Sequence, residues 1–417
     1  MLQRGLVFFQ KCWRDSLYRN SFLLIINSIS NVGFGFIFWM ITAHLYSLED
    51  VGVATAIVSS MSIIVLLSRL GFDQSIIRYF PLHEKGKVFT TIAIVTTILS
   101  LVLGIILLAN IDSWSPDLSI LREHTIIYLF FIAIHSLCTV IGMSYVALRK
   151  SGYYFIQSLI MGLRVVFLFP LAICGAIGVF IATGISTLIT TIIFLYHLVK
   201  FELGPLAVDL SFLKSAFHYS LANYISSLLM TVSSQILPIM VLNILGAEEA
   251  AQYFIAYSVV SVLFMIPSAI GTSLFVEGCH GEAMLKGVVK SILAIFALLT
   301  PSALLFYFYG NYLLGLFGTS YLEGVQLLNI MALSSFLVAP FYVYLTIHRV
   351  RGTLRKLTFI SLTVFISQII TSYILMNSFG LIGIGYAWVI SYFIGIVIII
   401  PLEMKQFSKF SKRHYPT

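Results

Sequence analysis

The sequence predicts an all-α integral membrane protein with about twelve transmembrane helices, arranged as two pseudo-symmetric six-helix halves around a central cavity. Three observations lead to this prediction. The 417 residues are 59% hydrophobic and only 10% charged, which is too apolar for the surface of a soluble globule. Apolar runs follow one another with short polar breaks, and each reaches the roughly 20 residues that a helix needs to cross a bilayer core about 30 Å thick. A weak internal repeat relates the two halves.

Each apolar run is predicted to form one membrane-spanning helix. A β-barrel is excluded because its strands alternate apolar and polar residues, whereas runs such as ISYFIGIVIII are apolar at successive positions. Residues 1–20, which are basic and partly apolar, are expected to form a retained interfacial helix. The predicted spans lie near residues 21–45, 51–70, 88–110, 124–148, 153–173, 177–199, 218–244, 250–275, 287–309, 324–347, 356–377 and 380–401.

The distribution of charge predicts the orientation of these spans. Of the 24 Lys and Arg residues, 22 lie at the two ends of the chain or in alternate breaks between spans. Cytoplasmic loops of membrane proteins are enriched in Lys and Arg, so both termini are expected in the cytoplasm of a multi-pass inner-membrane protein. The net charge of +8 then follows from topology, and no nucleic-acid partner is expected.

An internal repeat supports six spans in each half. The segment YSLEDVGVATAIVS at 46–59 matches LGAEEAAQYFIAYS at 245–258, with acidic pairs in register. The predicted halves are residues 1–200 and 201–417. Halves with an even number of spans share one orientation and are related by an axis along the membrane normal, so their interface is the expected substrate path and their rocking the expected mechanism.

Three arginines are candidates for binding the substrate. Arg164 lies near the middle of the fifth predicted span, where an ionisable side chain costs about 2.5–3.5 kcal/mol and usually faces a cavity or a partner. Arg69 and Arg78 flank a segment in which Gly71 and Pro81 predict a helix that ends, turns and resumes near the cytoplasmic face. Either these guanidinium groups bind an anion, or Arg69 and Arg78 are only topology anchors and Arg164 is satisfied by backbone carbonyls.

Two acidic residues, Asp73 and Glu277, are candidates for ion or gating contacts. Asp73 is equally expected to pair with a neighbouring arginine, and Glu277 lies at the predicted cytoplasmic end of the eighth span. An exporter of cationic drugs is expected to keep a carboxylate deep in a helix. Spans 1 and 7 contain none, and the sequence therefore favours an anionic substrate.

Metal and enzyme chemistry are not predicted. The histidines, His135 among them, lie mostly near predicted span ends without the i, i+4 spacing of a metal pair, so they are expected at the membrane interface. GxSxG, HExxH and Walker A motifs are absent from the sequence. The breaks between spans are too short for a catalytic domain. A transporter without a cofactor is therefore expected.

Three stretches carry a resemblance to a known family. They are YSLEDVGVATAIVSSMSIIVLLSRLGFDQSIIRYFP at 46–81, LGAEEAAQYFIAYSVVSVLFMIPSAIGTSLF at 245–275, and the segment from FGTSYLEG to GLIGIGYAWVISY at 317–392. In these patterns of small, apolar and acidic positions, the sequence resembles the polysaccharide biosynthesis or O-antigen flippase family. This family lies within the multidrug, oligosaccharidyl-lipid and polysaccharide exporter superfamily, which also contains lipid II flippases.

The resemblance implies a flippase for a polyprenyl-pyrophosphate-linked oligosaccharide, the repeat unit of O-antigen, lipopolysaccharide or another polysaccharide. Arg78 and Arg164 would then bind the pyrophosphate or acidic sugars in a central cationic cavity, and Tyr219, Tyr253 and Tyr257 could line a sugar path. Membrane lipid and other polysaccharide-assembly proteins are the further expected partners. The alternatives are an ion-coupled efflux transporter of small amphiphiles on the same fold and a non-transporting scaffold for glycan assembly.

Overall fold

Helix is the only regular secondary structure in the part of the chain that the computed structural model describes, residues 16–279, 284–351 and 353–414. Residues 1–15 of the predicted interfacial helix lie outside this part. Among the described residues, fourteen helices contain eight residues or more. They are α1 (Ser16–Leu45), α2 (Leu48–Arg69), α3 (Phe72–Tyr79), α4 (Lys85–Ala109), α5 (Thr125–Ala147), α6 (Ser151–Gly162), α7 (Arg164–Leu171), α8 (Gly175–Leu198), α9 (Leu210–Ile244), α10 (Ala247–Cys279), α11 (Met284–Gly315), α12 (Val325–Val350), α13 (Leu354–Phe379) and α14 (Leu381–His414).

These helices account for twelve membrane crossings. Ten segments within the described ranges are long and apolar enough to span a bilayer, and one of them, Ser151–Leu203, contains 53 residues. A helix of that length would extend about 80 Å, more than twice the bilayer core, and it is broken by a 3₁₀ turn at Ala172–Cys174 into two crossings. The long helix α9, with the apolar segment Thr231–Ile244, supplies the twelfth. The predicted all-α fold with about twelve spans is confirmed.

Large apolar side chains are exposed on the outer faces of the helices. Ile126 is 83% exposed, Ile173 is 93% exposed and Phe308 is 71% exposed. Many serine and threonine hydroxyls are instead buried between helices, where Thr187, for example, donates to a carbonyl one turn earlier in α8. Apolar surface outside and small polar residues at helix contacts are typical of a protein solvated by lipid.

The chain divides into two units, Met1–Tyr224 and Ile225–Thr417, called here the N-terminal and C-terminal units. In the N-terminal unit, α2 packs on α4, α4 on α5, α5 on α8, and α7 on α8. In the C-terminal unit the corresponding spans make the corresponding contacts: α10 packs on α11, α11 on α12, α12 on α14, and α13 on α14. This common packing order supports the predicted repeat. The boundary at residues 200 and 201 and the central cavity stay predictions.

A glycine turn recurs where the fifth span of each unit reverses into the sixth. Gly175 has φ 54° and ψ −142°, and Gly380 has φ 59° and ψ −141°, a left-handed conformation that glycine adopts without steric cost. Three residues later, Gly178 and Gly383 lie so close to the preceding helix that a Cβ on either would overlap one of its backbone carbonyl oxygens. The sequence G-x-I-G therefore builds the same turn twice.

One acid of the repeated acidic pair has a structural role in the N-terminal unit. The Oδ1 of Asp50 accepts a hydrogen bond from the Ala176 amide at 2.9 Å, and Ser47 Oγ donates to its Oδ2 at 2.6 Å. A carboxylate at this place caps α8 and complements the helix dipole. The neighbouring Tyr46 hydroxyl donates to the Leu168 carbonyl at 2.9 Å. Burial raises the pKa of Tyr46 to about 12, which keeps this donor protonated.

Candidate functional site

Arg164 lies at an interruption of the fifth span. The amide of Leu163 donates to the Ile160 carbonyl at 3.0 Å and that of Val166 to the Leu163 carbonyl at 2.9 Å, the i to i−3 pattern of a 3₁₀ turn between α6 and α7. The guanidinium carbon of Arg164 lies 4.2 Å from the ring centroid of Phe38 on α1, a fully buried residue. A cation–π contact is worth up to about 2 kcal/mol where water is excluded, so it offsets part of the cost of a charge at this depth.

Arg69 is the last residue of α2 and precedes a tight turn. Leu70 and Gly71 have φ 47° and 78°, and a left-handed leucine is a strained conformation. The predicted end and restart of the helix at Gly71 is confirmed. Arg69 Nη1 lies 4.0 Å from Asp73 Oδ2, longer than the roughly 2.7–2.9 Å of a charge-assisted hydrogen bond, and the buried Arg69 Nε has no hydrogen-bond partner. Asp73 therefore neutralises Arg69 only in part.

His135 lies in the middle of α5, and the positive charges of Arg69 and Arg164 both act on its imidazole. The Nδ1 of His135 is buried and has no hydrogen-bond partner. The predicted interfacial location is thus wrong for His135, because α5 carries it into the interior of the N-terminal unit.

Uncharged polar groups from α1 and α6 complete this neighbourhood. The Tyr154 hydroxyl interacts electrostatically with the side chains of Asn27 and Arg69. Gln157 Nε2 donates to the Cys138 carbonyl at 2.9 Å. Asn27 Oδ1 and Gln157 Oε1, by contrast, are buried without hydrogen-bond partners. Buried polar atoms are nearly always hydrogen-bonded in folded proteins, so several unpartnered atoms in one neighbourhood indicate a site for a polar ligand.

We name this group the arginine cluster. It consists of Arg69, Arg164, His135, Tyr154, Asn27 and Gln157. In the described part of the chain, no carboxylate forms an ion pair with Arg164. The cluster therefore combines two guanidinium groups with neutral donors and acceptors, which is suited to an anion with several oxygen atoms, such as a phosphate or pyrophosphate.

The structure does not add the other predicted site residues to the cluster. Arg78 is exposed on α3, with its guanidinium carbon 5.6 Å from the ring centroid of Tyr79, while Phe72 and Ile76 form the buried side of the same helix. Glu277 lies in α10, but its side chain is outside the described part. The ligand role of Arg78 and the ion or gating roles of Asp73 and Glu277 stay predictions.

Of the cluster's members, the sequence analysis predicted only Arg69 and Arg164 as substrate ligands. It expected the histidines at the membrane interface and did not single out Tyr154 or Gln157. A useful signal was present, because Gln157 and His135 are polar residues inside apolar runs, where each polar group requires a partner. Of the predicted tyrosines, Tyr253 and Tyr257 are described in α10, whereas the Tyr219 side chain lies outside the described part.

Transporters with solved structures share this fold. The lipid II flippase MurJ in its inward closed conformation matches with a TM-score of 0.72 and 14% identity, over 94% of this chain and 90% of that chain. An inward-facing multidrug resistance MATE transporter of the MOP superfamily matches with a TM-score of 0.71 and 17% identity, over 92% and 96%. A MOP superfamily transporter from Pyrococcus furiosus matches with a TM-score of 0.63 and 16% identity, over 95% and 96%. At these identities the likeness concerns the fold alone.

Sequence comparison gives the family. A Shigella flexneri protein provisionally named an O-antigen transporter is 26% identical over 171 residues, which are 38% of this chain and 41% of that protein. The match thus spans about two-fifths of the length of this curated relative. The sequence model of the family described as "Polysaccharide biosynthesis protein" matches residues 17–275, more than half of the 417 residues. The chain is a member of this polysaccharide biosynthesis protein family.

Proposed function

We propose that the protein is a flippase for a polyprenyl-pyrophosphate-linked oligosaccharide, the repeat unit of O-antigen or another polysaccharide. It moves this lipid from the cytoplasmic to the outer leaflet of the inner membrane. The observation that carries the proposal is the arginine cluster, in which the positive charges of Arg69 at the end of α2 and Arg164 in the fifth span both act on the imidazole of His135. Membership of the polysaccharide biosynthesis family supports a glycan-bearing substrate.

The chemistry of the cluster matches the pyrophosphate of such a lipid. The Arg164 guanidinium, held near the middle of a span, costs about 2.5–3.5 kcal/mol, and an anionic ligand offsets this cost when it accepts the unused donors. Guanidinium binds phosphate oxygens in a bidentate geometry that lysine cannot reproduce. The neutral groups of His135, Tyr154, Asn27 and Gln157 supply further hydrogen bonds without cancelling the positive charge.

The mechanism we propose is alternating access with the lipid tail left in the bilayer. Arg69 ends α2 at the basic segment 69–87, which the distribution of Lys and Arg predicts to be cytoplasmic. The pyrophosphate enters from the inner leaflet and is neutralised there. Rocking of the two halves then exposes the glycan on the outer side, while membrane lipid and polysaccharide-assembly proteins are the remaining partners. Both termini stay in the cytoplasm.

One observation favours a second candidate, an ion-coupled efflux transporter of small amphiphiles. The TM-score with a multidrug transporter, 0.71, is nearly the same as that with the lipid II flippase, 0.72, so the fold suits both. Charge favours the flippase. The acidic side chains of the described part lie at helix ends or in connections, as Asp50 and Asp73 do, whereas Arg164 lies within a membrane span.

Deleting the gene from its host should stop export of the glycan. We expect lipid-linked oligosaccharide to accumulate in the inner membrane and surface polysaccharide to fall to background, measured by mass spectrometry of lipid extracts and by surface-glycan profiles. Wild type should restore export, and the double variant Arg69→Ala/Arg164→Ala should not at a matched membrane level. The control is Arg122→Ala, because Arg122 is 53% exposed and pairs with Asp112 at 2.6 Å. Intact surface glycan together with new sensitivity to cationic amphiphiles would contradict the flippase and support efflux.

A further inference from the structure

The C-terminal unit contains a partly open cavity that the arginine cluster does not use. It has a volume of about 70 Å³ and lies among α9, α10, α12, α13 and α14. A single water needs about 10–15 Å³ by this measure, so the cavity has room for about five waters, and a larger ring enters it by one edge through the open side. We name it the aromatic cavity and define it by Tyr257, Tyr342, Ser361, Gln368, Trp388 and Tyr392.

Three buried polar atoms in the lining have no hydrogen-bond partner. They are Ser361 Oγ, Gln368 Oε1 and Trp388 Nε1, on side chains that are 1%, 2% and 6% exposed. The amide nitrogen of Gln368 donates to Ser372 Oγ at 3.3 Å, which leaves its carbonyl oxygen as the unsatisfied end. Three residues with unpartnered polar atoms in the lining of one cavity are unusual in a folded protein, and the expected explanation is a ligand that bonds to them.

Ring stacking fixes the direction of the indole N–H. Trp388 is parallel to Phe264, with centroids 5.0 Å apart and an interplanar angle of 2°. It also stacks on Tyr392 at 5.5 Å and 29°, and Tyr257 approaches it at 5.9 Å and 43°. Because the indole is held between rings, Trp388 Nε1 is a positioned donor whose direction does not depend on the ligand.

The chemistry of the lining specifies a neutral ligand. None of the described residues that form the cavity is charged, so a phosphate would find no counter-charge. Aromatic faces can hold a cation, but a cation would leave the indole donor of Trp388 without an acceptor. The unpartnered set contains a donor in Trp388, an acceptor in Gln368 and a hydroxyl in Ser361 that can be either. Tyr257, Tyr342 and Tyr392 interact electrostatically with one another and add further hydroxyls. A sugar ring combines apolar faces with hydroxyls that both donate and accept, and it fits this set.

From this geometry we infer that the aromatic cavity binds one neutral monosaccharide unit of the transported glycan. The inference rests on the proposed function and adds a saccharide site to its pyrophosphate site. Gln368 and Ser361 hydrogen-bond the sugar hydroxyls, Trp388 donates to a ring or hydroxyl oxygen, and the aromatic rings cover the apolar faces. The site selects for the sugar, while the arginine cluster selects for the anion.

The test is titration of the purified full chain in nanodiscs with a panel of neutral methyl glycosides of hexoses and N-acetylhexosamines, and separately with inorganic pyrophosphate. Trp13→Phe, Trp39→Phe and Trp114→Phe leave Trp388 as the sole tryptophan. We expect a saturable change in its emission with at least one neutral glycoside and none with pyrophosphate. Saturation-transfer NMR on the unmodified protein uses the same panel and does not depend on the tryptophan substitutions.

Variants separate this inference from the proposed function. Gln368→Leu should weaken glycoside binding at least about tenfold, because a site built around hydrogen bonds binds poorly when one partner is removed. Asn377→Leu is the matched control on the same helix, since Asn377 is exposed and bonds only locally to Tyr373. Arg164→Ala should retain glycoside binding. Glycoside binding by a wild-type protein that flips no lipid-linked oligosaccharide would overturn the proposed function alone. Absence of a saturable signal with every glycoside in both assays, or a signal unchanged in Gln368→Leu, would overturn the saccharide site and leave a cavity that holds water only.

Discussion

Replacing Arg164 with alanine should weaken the binding of a short-chain polyprenyl pyrophosphate about a hundredfold. The substitution removes two charge-assisted hydrogen bonds of about 1.5 kcal/mol each, and each 1.4 kcal/mol is a factor of about ten in affinity. Arg164→Lys should recover part of the loss, because lysine keeps the charge but not the planar fork. Isothermal titration of the purified protein at fixed ionic strength measures both effects.

The matched control for this titration is Arg122→Ala, which removes an exposed arginine of the same unit and should leave the affinity at the wild-type value. A polyprenol of the same chain length but without the pyrophosphate should bind wild type and Arg164→Ala equally. If Arg164→Ala binds the polyprenyl pyrophosphate with wild-type affinity and has an unchanged unfolding temperature, the cluster is not the anion site.

Alanine at Gly178 or at Gly383 should destabilise the folded protein substantially. At both positions the new Cβ would overlap a backbone carbonyl oxygen of the preceding helix, and carbonyl oxygens cannot move aside as the end of a flexible side chain can. Overpacking of this kind costs about 1–3 kcal/mol or more. The measurement is the unfolding temperature of each purified variant, followed by fluorescence-detected size-exclusion chromatography after heating.

Gly33→Ala provides the comparison for these two variants. Gly33 lies in α1, and no neighbouring atom lies within 4 Å of the position that an alanine methyl group would occupy. The change should therefore be neutral or slightly stabilising, since alanine favours helix by up to about 1 kcal/mol over glycine. If the two turns are equivalent, Gly178→Ala and Gly383→Ala should lower the unfolding temperature alike. A harmless Gly383→Ala beside a harmful Gly178→Ala would argue against a structural repeat.

The sequence was sufficient to predict the spans and the main charges of the site. A helix needs about 20 apolar residues to cross the bilayer, so helix positions follow from the apolar runs alone. A charged residue inside such a run is costly, which is why Arg164 could be identified from the sequence. Gly71 likewise indicated the turn after Arg69. These features depend on local sequence and on the solvent, not on which helices become neighbours.

The partners of those charges could not be predicted in the same way. His135 joins the cluster because one face of α5 packs inward against the neighbouring helices. When a helix is apolar on all sides, its sequence has no periodic pattern of polar residues from which the inward face could be predicted. The aromatic cavity is a stronger case, since Tyr257, Gln368 and Trp388 come from three different helices. Predicting such a constellation requires knowledge of helix packing, which a single sequence does not supply.

The most direct test of the central claim is flipping by the purified protein in sealed vesicles. A fluorescent polyprenyl-pyrophosphate oligosaccharide is placed in both leaflets. A membrane-impermeant reductant then bleaches the labelled lipid in the outer leaflet, including the molecules that the protein moves there. We expect the protected inner-leaflet fraction to disappear with wild type and Arg122→Ala, and to persist with Arg69→Ala/Arg164→Ala. Persistence of that fraction with wild type, with and without imposed ion gradients, would contradict the flippase.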